Sequence, residues 1–398
     1  MESYLFDWLQ LIFRWLHLIT GIAWIGASFY FVWLDNSLEE PPQWKKDKGI
    51  KGDLWSIHGG GIYEVAKYEL APEKMPQTLH WFKWEAYTTW LTGMVLLIVI
   101  FYLGADSYLI DKRVADLTQF QAVGLGVGFL VSGWVIYEIL CSTALAKNGF
   151  VIGGILIGIA VVYAYALTHL FSGRGAYIHM GAVIGTIMVG NVFRVIMPSQ
   201  RALVAAIENG EKPDPAWGIK AKLHSTHNNY LTLPLLFIMI SNHYPMTYSH
   251  EYSWLVLLAI IAITAFARHY FNLQHKGIKR PVILVVAAIA AATLAFVISP
   301  KPVAIPEGGF KTSQLASVKS ILTERCATCH SSAPTDDVFT AAPLGMMLDT
   351  MDQMKQWAPR IKARSVDSAD MPFMNKTGMT DEERQTIAAW IAAGAPVQ

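Results

Sequence analysis

The sequence predicts an all-α chain in two parts, a polytopic eight-helix transmembrane bundle followed by a small all-α C-terminal domain. Three observations carry that expectation. Of the 398 residues, 53 % are hydrophobic and only 15 % charged, a balance too apolar for an ordinary water-soluble chain. Eight apolar runs, near 9–34, 84–104, 119–140, 149–171, 176–197, 227–243, 253–272 and 281–299, approach the roughly 20 residues that a bilayer crossing needs. From residue 313 onward the composition turns mixed, and a Cys-x-x-Cys-His stretch appears.

Taken in order, the start Met1-Glu2-Ser3-Tyr4 lacks the basic region of a cleavable signal, and the first run is long enough to span. It is therefore expected to be retained. Trp8, Trp33, Trp81, Trp84, Tyr102 and Trp254 mark span ends, where amphipathic rings collect. The sixth run is short and carries Pro234. Segment 35–83 is longer than connectivity needs and is expected to be functional. It holds His58-Gly59-Gly60-Gly61, whose glycines would let backbone approach something closely. A phosphate-loop spacing is missing.

Lys and Arg stay on the cytoplasmic side of a membrane. Fifteen of them (Lys45 through Arg280) lie in loops after odd-numbered spans, against Lys112, Arg113 and Arg174 after even ones. Segment 35–83 is thus assigned to the cytoplasm, and both termini to the periplasm of a bacterial inner membrane. Residues 1–299 form the expected catalytic bundle. Residues 300–312, rich in Pro and then Gly, form a periplasmic tether, and 313–398 the terminal domain. A net charge of +1 gives no argument for nucleic acid as a partner.

Cys326-Ala327-Thr328-Cys329-His330 has the spacing of covalent c-type haem attachment. Two thiols reach two vinyl groups, and the adjacent imidazole is aimed at iron. A zinc site would need more soft ligands, and Cys141 is the one other cysteine. Met371, before Pro372, is the expected sixth ligand, with Met346, Met347, Met374 and Met379 competing. Thr380-Asp381-Glu382-Glu383 is a capping box opening a last helix. Residues 313–398 thus read as one class I-like cytochrome c domain with one covalent haem.

Ionisable residues inside spans mark function by default. Arg14 and His17 share a face of the first helix, as imidazole and propionate partner of a b-type haem would. His169, His179 and His243 fall at periplasmic span ends. They leave room for one or more b haems, with His17 and His179 the first ligand pair; cross-helix hydrogen bonding is the plainer role. On the cytoplasmic face lie His58, Glu64, His80, Arg194, His224, His227, Asn228, Asn229, Arg268 and His269. Arg could meet an anion, Asn could read the edges of a flat heterocycle, and His could move protons near neutral pH. Solvated, charged caps are the bland alternative.

The blocks LWSIHGGGIYEVAKYELAPEKMPQTLHWFKWEAYTTWLTG (54–93), GNVFRVIMPSQ (190–200), HSTHNNYLTLPLLFIMISNHYP (224–245) and ARHYFNLQHKG (267–277) resemble the bacterial integral-membrane, cytochrome c-linked urate oxidases. The resemblance runs the whole length. It implies oxidation of urate and water to 5-hydroxyisourate in purine degradation, with electrons passing to the C-terminal haem rather than to O2. A downstream periplasmic acceptor, such as a soluble cytochrome or a terminal oxidase, would follow. With urate as the substrate, His227 or His269 is expected to act as base, Arg194 or Arg268 to hold the anion, Asn228 and Asn229 to read ring edges, and Glu64 or His58 to relay protons. Residues alone admit two rivals: a quinol:cytochrome c oxidoreductase, and a haem-binding sensor or assembly protein without turnover.

Overall fold

The computed structural model describes residues 2–274, 277–299, 309–339 and 341–398; Lys276 and stretch 300–308 of the expected tether lie outside them. The first part is built from helices α1 (Glu2–Ser37), α2 (Trp84–Tyr102), α3 (Gln119–Ser142), α4 (Gly149–Leu170), α5 (Gly173–Glu208), α6 (Pro215–Ser241), α7 (Ser253–Gln274) and α8 (Val282–Val297). Between α1 and α2 stand two antiparallel strands, β1 (Ile50–His58) and β2 (Gly61–Tyr68).

Six of these helices, α1 to α5 and α7, are long and apolar enough to cross a membrane. The other two correct the eight-run expectation. Helix α6 starts at Pro215, with Asp214 capping the N–H of Ala216 at 2.8 Å, twelve residues before the expected span. Its first half is polar yet helical, which hydropathy does not see. Helix α8 has 16 residues, about 24 Å at 1.5 Å per residue, short of a hydrocarbon core of roughly 30 Å.

The hairpin is the second correction, since an all-α chain was expected. Gly59 and Gly60 both take positive φ, +57° and +83°, the geometry of a tight two-residue hairpin turn. The glycines therefore close a turn, with His58 pairing Gly61 across it. Beneath the hairpin Lys45, only 3 % exposed, pairs with Asp53 and Glu64.

Helix α5 is the axis of the bundle and packs against α2, α3, α4 and α6. Its face carries Tyr177, Met180, Val183 and Ile184 into a core shared with Phe101, Leu167, Phe171, Ile238 and Leu257. Helices α2 and α5 each widen into a π-turn, at Leu97–Tyr102 and Asn191–Ile196, a device frequent where a helix must aim side chains at a site. Helix α1 leans on α2 and leaves Leu5, Leu11, Trp15, Leu18 and Ile22 exposed.

The C-terminal part has its own core. Helices α9 (Leu315–Arg325), α10 (Met351–Gln356) and α11 (Asp381–Ala392) enclose Leu322, Leu348, Met354, Ile387 and Trp390. Thr380 caps α11 in the predicted box, accepting from Glu383 N while Glu383 reaches back to Thr380 N at 2.9 Å.

One close approach pins α5 to the loop before α7. A Cβ on Gly173 would stand 2.3 Å from the Tyr248 carbonyl oxygen, a backbone atom. Gly173→Ala should lower thermal stability in detergent by the ~1–3 kcal/mol of an overpacked site. Gly124→Ala, with open space around it, should change little; equal melting of both would contradict this packing.

Candidate functional site

A polar seam runs where α6 faces α3 and α5 on one side and α7 on the other. Residues one apart on a helix point about 100° apart, so Asn228 and Asn229 serve different neighbours. On the α3/α5 side, Tyr137 hydroxyl and His227 Nδ1 are 2.7 Å apart, and Asn191 Nδ2 donates to both the Tyr137 hydroxyl (3.0 Å) and Asn228 Oδ1 (2.8 Å). Asn228 Nδ2 donates to the Met188 carbonyl at 3.0 Å, so both ends of that amide are engaged. The His224 ring lies 6.0 Å from that of His227, its Nδ1 donating to the Lys220 carbonyl. Arg194, inside the π-turn of α5, reaches Glu138 at 3.7 Å.

On the α7 side, Arg268 is 3 % exposed, donates through Nη2 to Asn229 Oδ1 at 2.9 Å, and lies 4.7 Å from the Phe29 ring of α1. His269 Nδ1 meets the Tyr230 hydroxyl at 2.6 Å. Among the described residues, three polar atoms here are buried without a partner: Asn191 Oδ1, Arg268 Nε and Asn272 Nδ2. A buried orphan costs about as much as a lost hydrogen bond; the acceptor lies on the α3/α5 side of the seam and the two donors on the α7 side.

The structure thus gathers His224, His227, Asn228, Arg194, Asn229, Arg268 and His269 along one helix. It does not bring the remaining cytoplasmic candidates there. His58 is exposed at the hairpin turn, and Glu64 is paired to Lys45. His80 is exposed beside Glu85, at 3.7 Å, and Phe82. Tyr137, Asn191 and Glu138 were missed in the sequence. Glu138 inside an apolar run was the available signal.

The four histidines expected near b haem have separate surroundings. His17 ties α1 to α2, its Nδ1 2.9 Å from the Thr89 carbonyl and 3.1 Å from Thr92 Oγ1, while Arg14 lies on the exposed face. His169 is exposed and stacked on Tyr165 at 4.0 Å. His179 is fully buried among Phe101, Tyr102 and Phe171; its Nδ1 donates to the Gly175 carbonyl and its Nε2 has no partner. The Tyr102 hydroxyl is likewise unpartnered, and a Cβ on Gly126 would meet both atoms within 3 Å. His243 instead faces the C-terminal part.

There, a cavity of about 480 Å³ is lined by Cys326, Cys329, His330, Met371 and, from the bundle, Tyr108, Arg174, Asn242 and His243. That volume falls in the range of cofactor sites. His330 Nδ1 donates to the Met346 carbonyl at 3.0 Å, which leaves Nε2 free, the orientation a metal-bound imidazole requires. Burial holds His330 below the usual imidazole range, so the neutral form is favoured. Burial also pushes the Cys326 thiol up to about 12 and raises Cys329. Redox-active CxxC pairs need the opposite, a lowered thiol pKa. Of the five candidate methionines, only Met371 and Met346 line the cavity. Met346 gives its carbonyl to His330, and the Met371 carbonyl accepts from buried Arg384 at 2.8 Å. A second cavity, of about 270 Å³, lies between Gln77, Trp81 and Arg201.

A helical body with, among the described residues, six apolar helices of bilayer length defines a class compatible with a membrane. Within that class the chain belongs to the urate oxidase N-terminal family, whose model matches residues 3–299. Membership assigns it an oxidoreductase's, urate-related function. The match covers the seam and the bundle's wall of the cavity, and stops before Cys326. No curated protein and no solved structure matches the chain.

Because Asn229 supplies the side-chain acceptor for a buried guanidinium, Asn229→Ala should cost about 1.5–3 kcal/mol, as for hydrogen bonds to charged groups. Thermal unfolding in detergent measures it. A double variant with Arg268→Ala should lose less than the sum, and strict additivity would contradict the coupling.

Proposed function

We propose that this chain is a membrane-bound urate oxidase that converts urate and water to 5-hydroxyisourate, releases two protons and two electrons, and passes the electrons to its own C-terminal domain instead of O2. The observation that carries the reading is the division of the chain. The urate oxidase match ends at residue 299, and the Cys-x-x-Cys-His cavity that follows is closed by bundle residues.

Urate is planar and monoanionic, and it presents N–H donors and carbonyl acceptors around its rim. The seam offers a matching set. Arg268, desolvated and steadied by Asn229 and Phe29, meets the anion. Its Nε, with Asn272 Nδ2, donates to ring carbonyls, and Asn191 Oδ1 accepts from a ring N–H. Asn228 holds Asn191 in place. In the tautomer that donates Nδ1–H to Tyr137, His227 presents Nε2 as general base to water or substrate. His224, beside it, passes the proton toward the cytoplasmic end of α6, and Arg194 with Glu138 borders that exit.

Cys326 and Cys329 would hold a c haem through thioethers, with His330 and Met371 as axial ligands. Bound there, the haem would supply a one-electron acceptor, so the two electrons of each urate would leave one at a time, each handed on to a downstream acceptor. The donor set fits, since the imidazole is pre-oriented with its neutral form favoured by burial, burial raises both thiols, and Met371 and Met346 line the wall.

His227→Ala should retain covalent haem and lose at least a hundredfold in urate consumption; retained turnover would contradict the assignment. Met371→Ala should shift the haem spectrum and midpoint while Met374→Ala leaves both in place. A spectrum insensitive to Met371 would move the ligand elsewhere.

A further inference from the structure

The cavity around Cys326 and His330 carries five cationic side chains: Arg325, Arg360, Arg364 and Lys376 from the C-terminal domain and Arg174 from the N-terminus of α5. Three are neutralised within the domain. Arg325 pairs with Glu383 at 3.0 Å, Arg364 with Asp370 at 2.7 Å, and Lys376 with Asp336 and Asp337. Among the described residues no carboxylate lies within ion-pairing distance of Arg360 or Arg174. Asp370 senses the charge of Arg174, but its carboxylate is taken by Arg364. Two guanidiniums thus face the cavity uncommitted, and a haem carries two propionates.

Arg174 is also held in position from both sides. Its guanidinium lies 5.2 Å from the Phe373 ring of the C-terminal domain and 5.9 Å from the Tyr248 ring of the bundle, and Nη2 donates to the Tyr248 hydroxyl at 3.3 Å. Phe373 follows Met371-Pro372 directly and meets Tyr108 edge-on at 5.5 Å. Asn242 adds an amide whose oxygen end is buried without a partner. The side chains at the bundle's end are therefore fixed toward the cavity, and a planar donor fork suits a carboxylate.

Resting on the reading that the cavity takes a c haem, we propose that the bundle supplies part of that site. Arg174 anchors one propionate and Arg360 the other, so the C-terminal domain is seated with its haem edge against the bundle. The bundle then helps to set the haem's potential. A guanidinium beside the haem disfavours the ferric form, which carries one more positive charge than the ferrous, so Arg174 raises the midpoint.

Potentiometric titration of the full chain in detergent, without urate, tests this. Arg174→Gln should lower the haem midpoint by a shift of the same order as Arg360→Gln, with covalent haem and axial-ligand bands retained. Arg174→Lys should fall between Arg174→Gln and the unaltered chain, because charge remains without the fork. Should Arg174→Gln fail to fold, Phe373→Leu, which removes the stacking partner from the other side, should shift the midpoint in the same direction by less. An unmoved midpoint in Arg174→Gln, or in Phe373→Leu where that variant stands in, beside a shifted Arg360→Gln would overturn the proposal. Absence of covalent haem in the unaltered chain would overturn it together with the proposed function, whereas haem present with an unmoved midpoint overturns this inference alone.

Discussion

A polar side chain inside an apolar bundle has only other protein groups to bond with, and α6 is where this chain meets that constraint. The helix threads His224, His227, Asn228, Asn229 and Tyr230 past three neighbours. Tyr137 and Asn191 answer on one side, Arg268 and His269 on the other. An unsatisfied buried polar group costs about 1–3 kcal/mol, so the network fixes the rotation of α6 against α3, α5 and α7. Asn191 Oδ1, Arg268 Nε and Asn272 Nδ2 have no partner among the described residues. The π-turn at Asn191–Ile196 belongs to the same arrangement, re-aiming Asn191 and Arg194 without breaking α5.

The C-terminal domain obeys a different constraint. Its apolar core is closed around Trp390 and Leu322, but its cavity is not closed by its own residues. Tyr108, Arg174, Asn242 and His243 complete the wall. In the proposed reaction this places the electron-accepting part against the body that oxidises the substrate.

Much of this was legible in the residues. The Cys-x-x-Cys-His spacing, Thr380 as a cap and most apolar helices are local patterns, and local patterns survive folding. The polar residues of α6 and α7 were also visible, since ionisable groups stand out against an apolar background. Three things were not. Tyr137 and Asn191 look like ordinary members of apolar runs until their partners are known. The glycines after His58 permit either close approach or a turn, and only the pairing of Ile57 with Ile62 decides. His17, His169, His179 and His243, grouped by depth along the sequence, have different packing partners, which depth alone does not show. Depth is one coordinate, and a site needs all three.

In the proposed reaction, electrons taken from urate in the bundle emerge on the chain's own terminal haem. An anaerobic difference spectrum of the purified full chain, recorded on adding urate, tests this most directly. Reduced c-haem bands should appear in step with loss of urate absorbance. Consumption of urate only when O2 is admitted, with hydrogen peroxide formed and the haem bands unchanged, would contradict it.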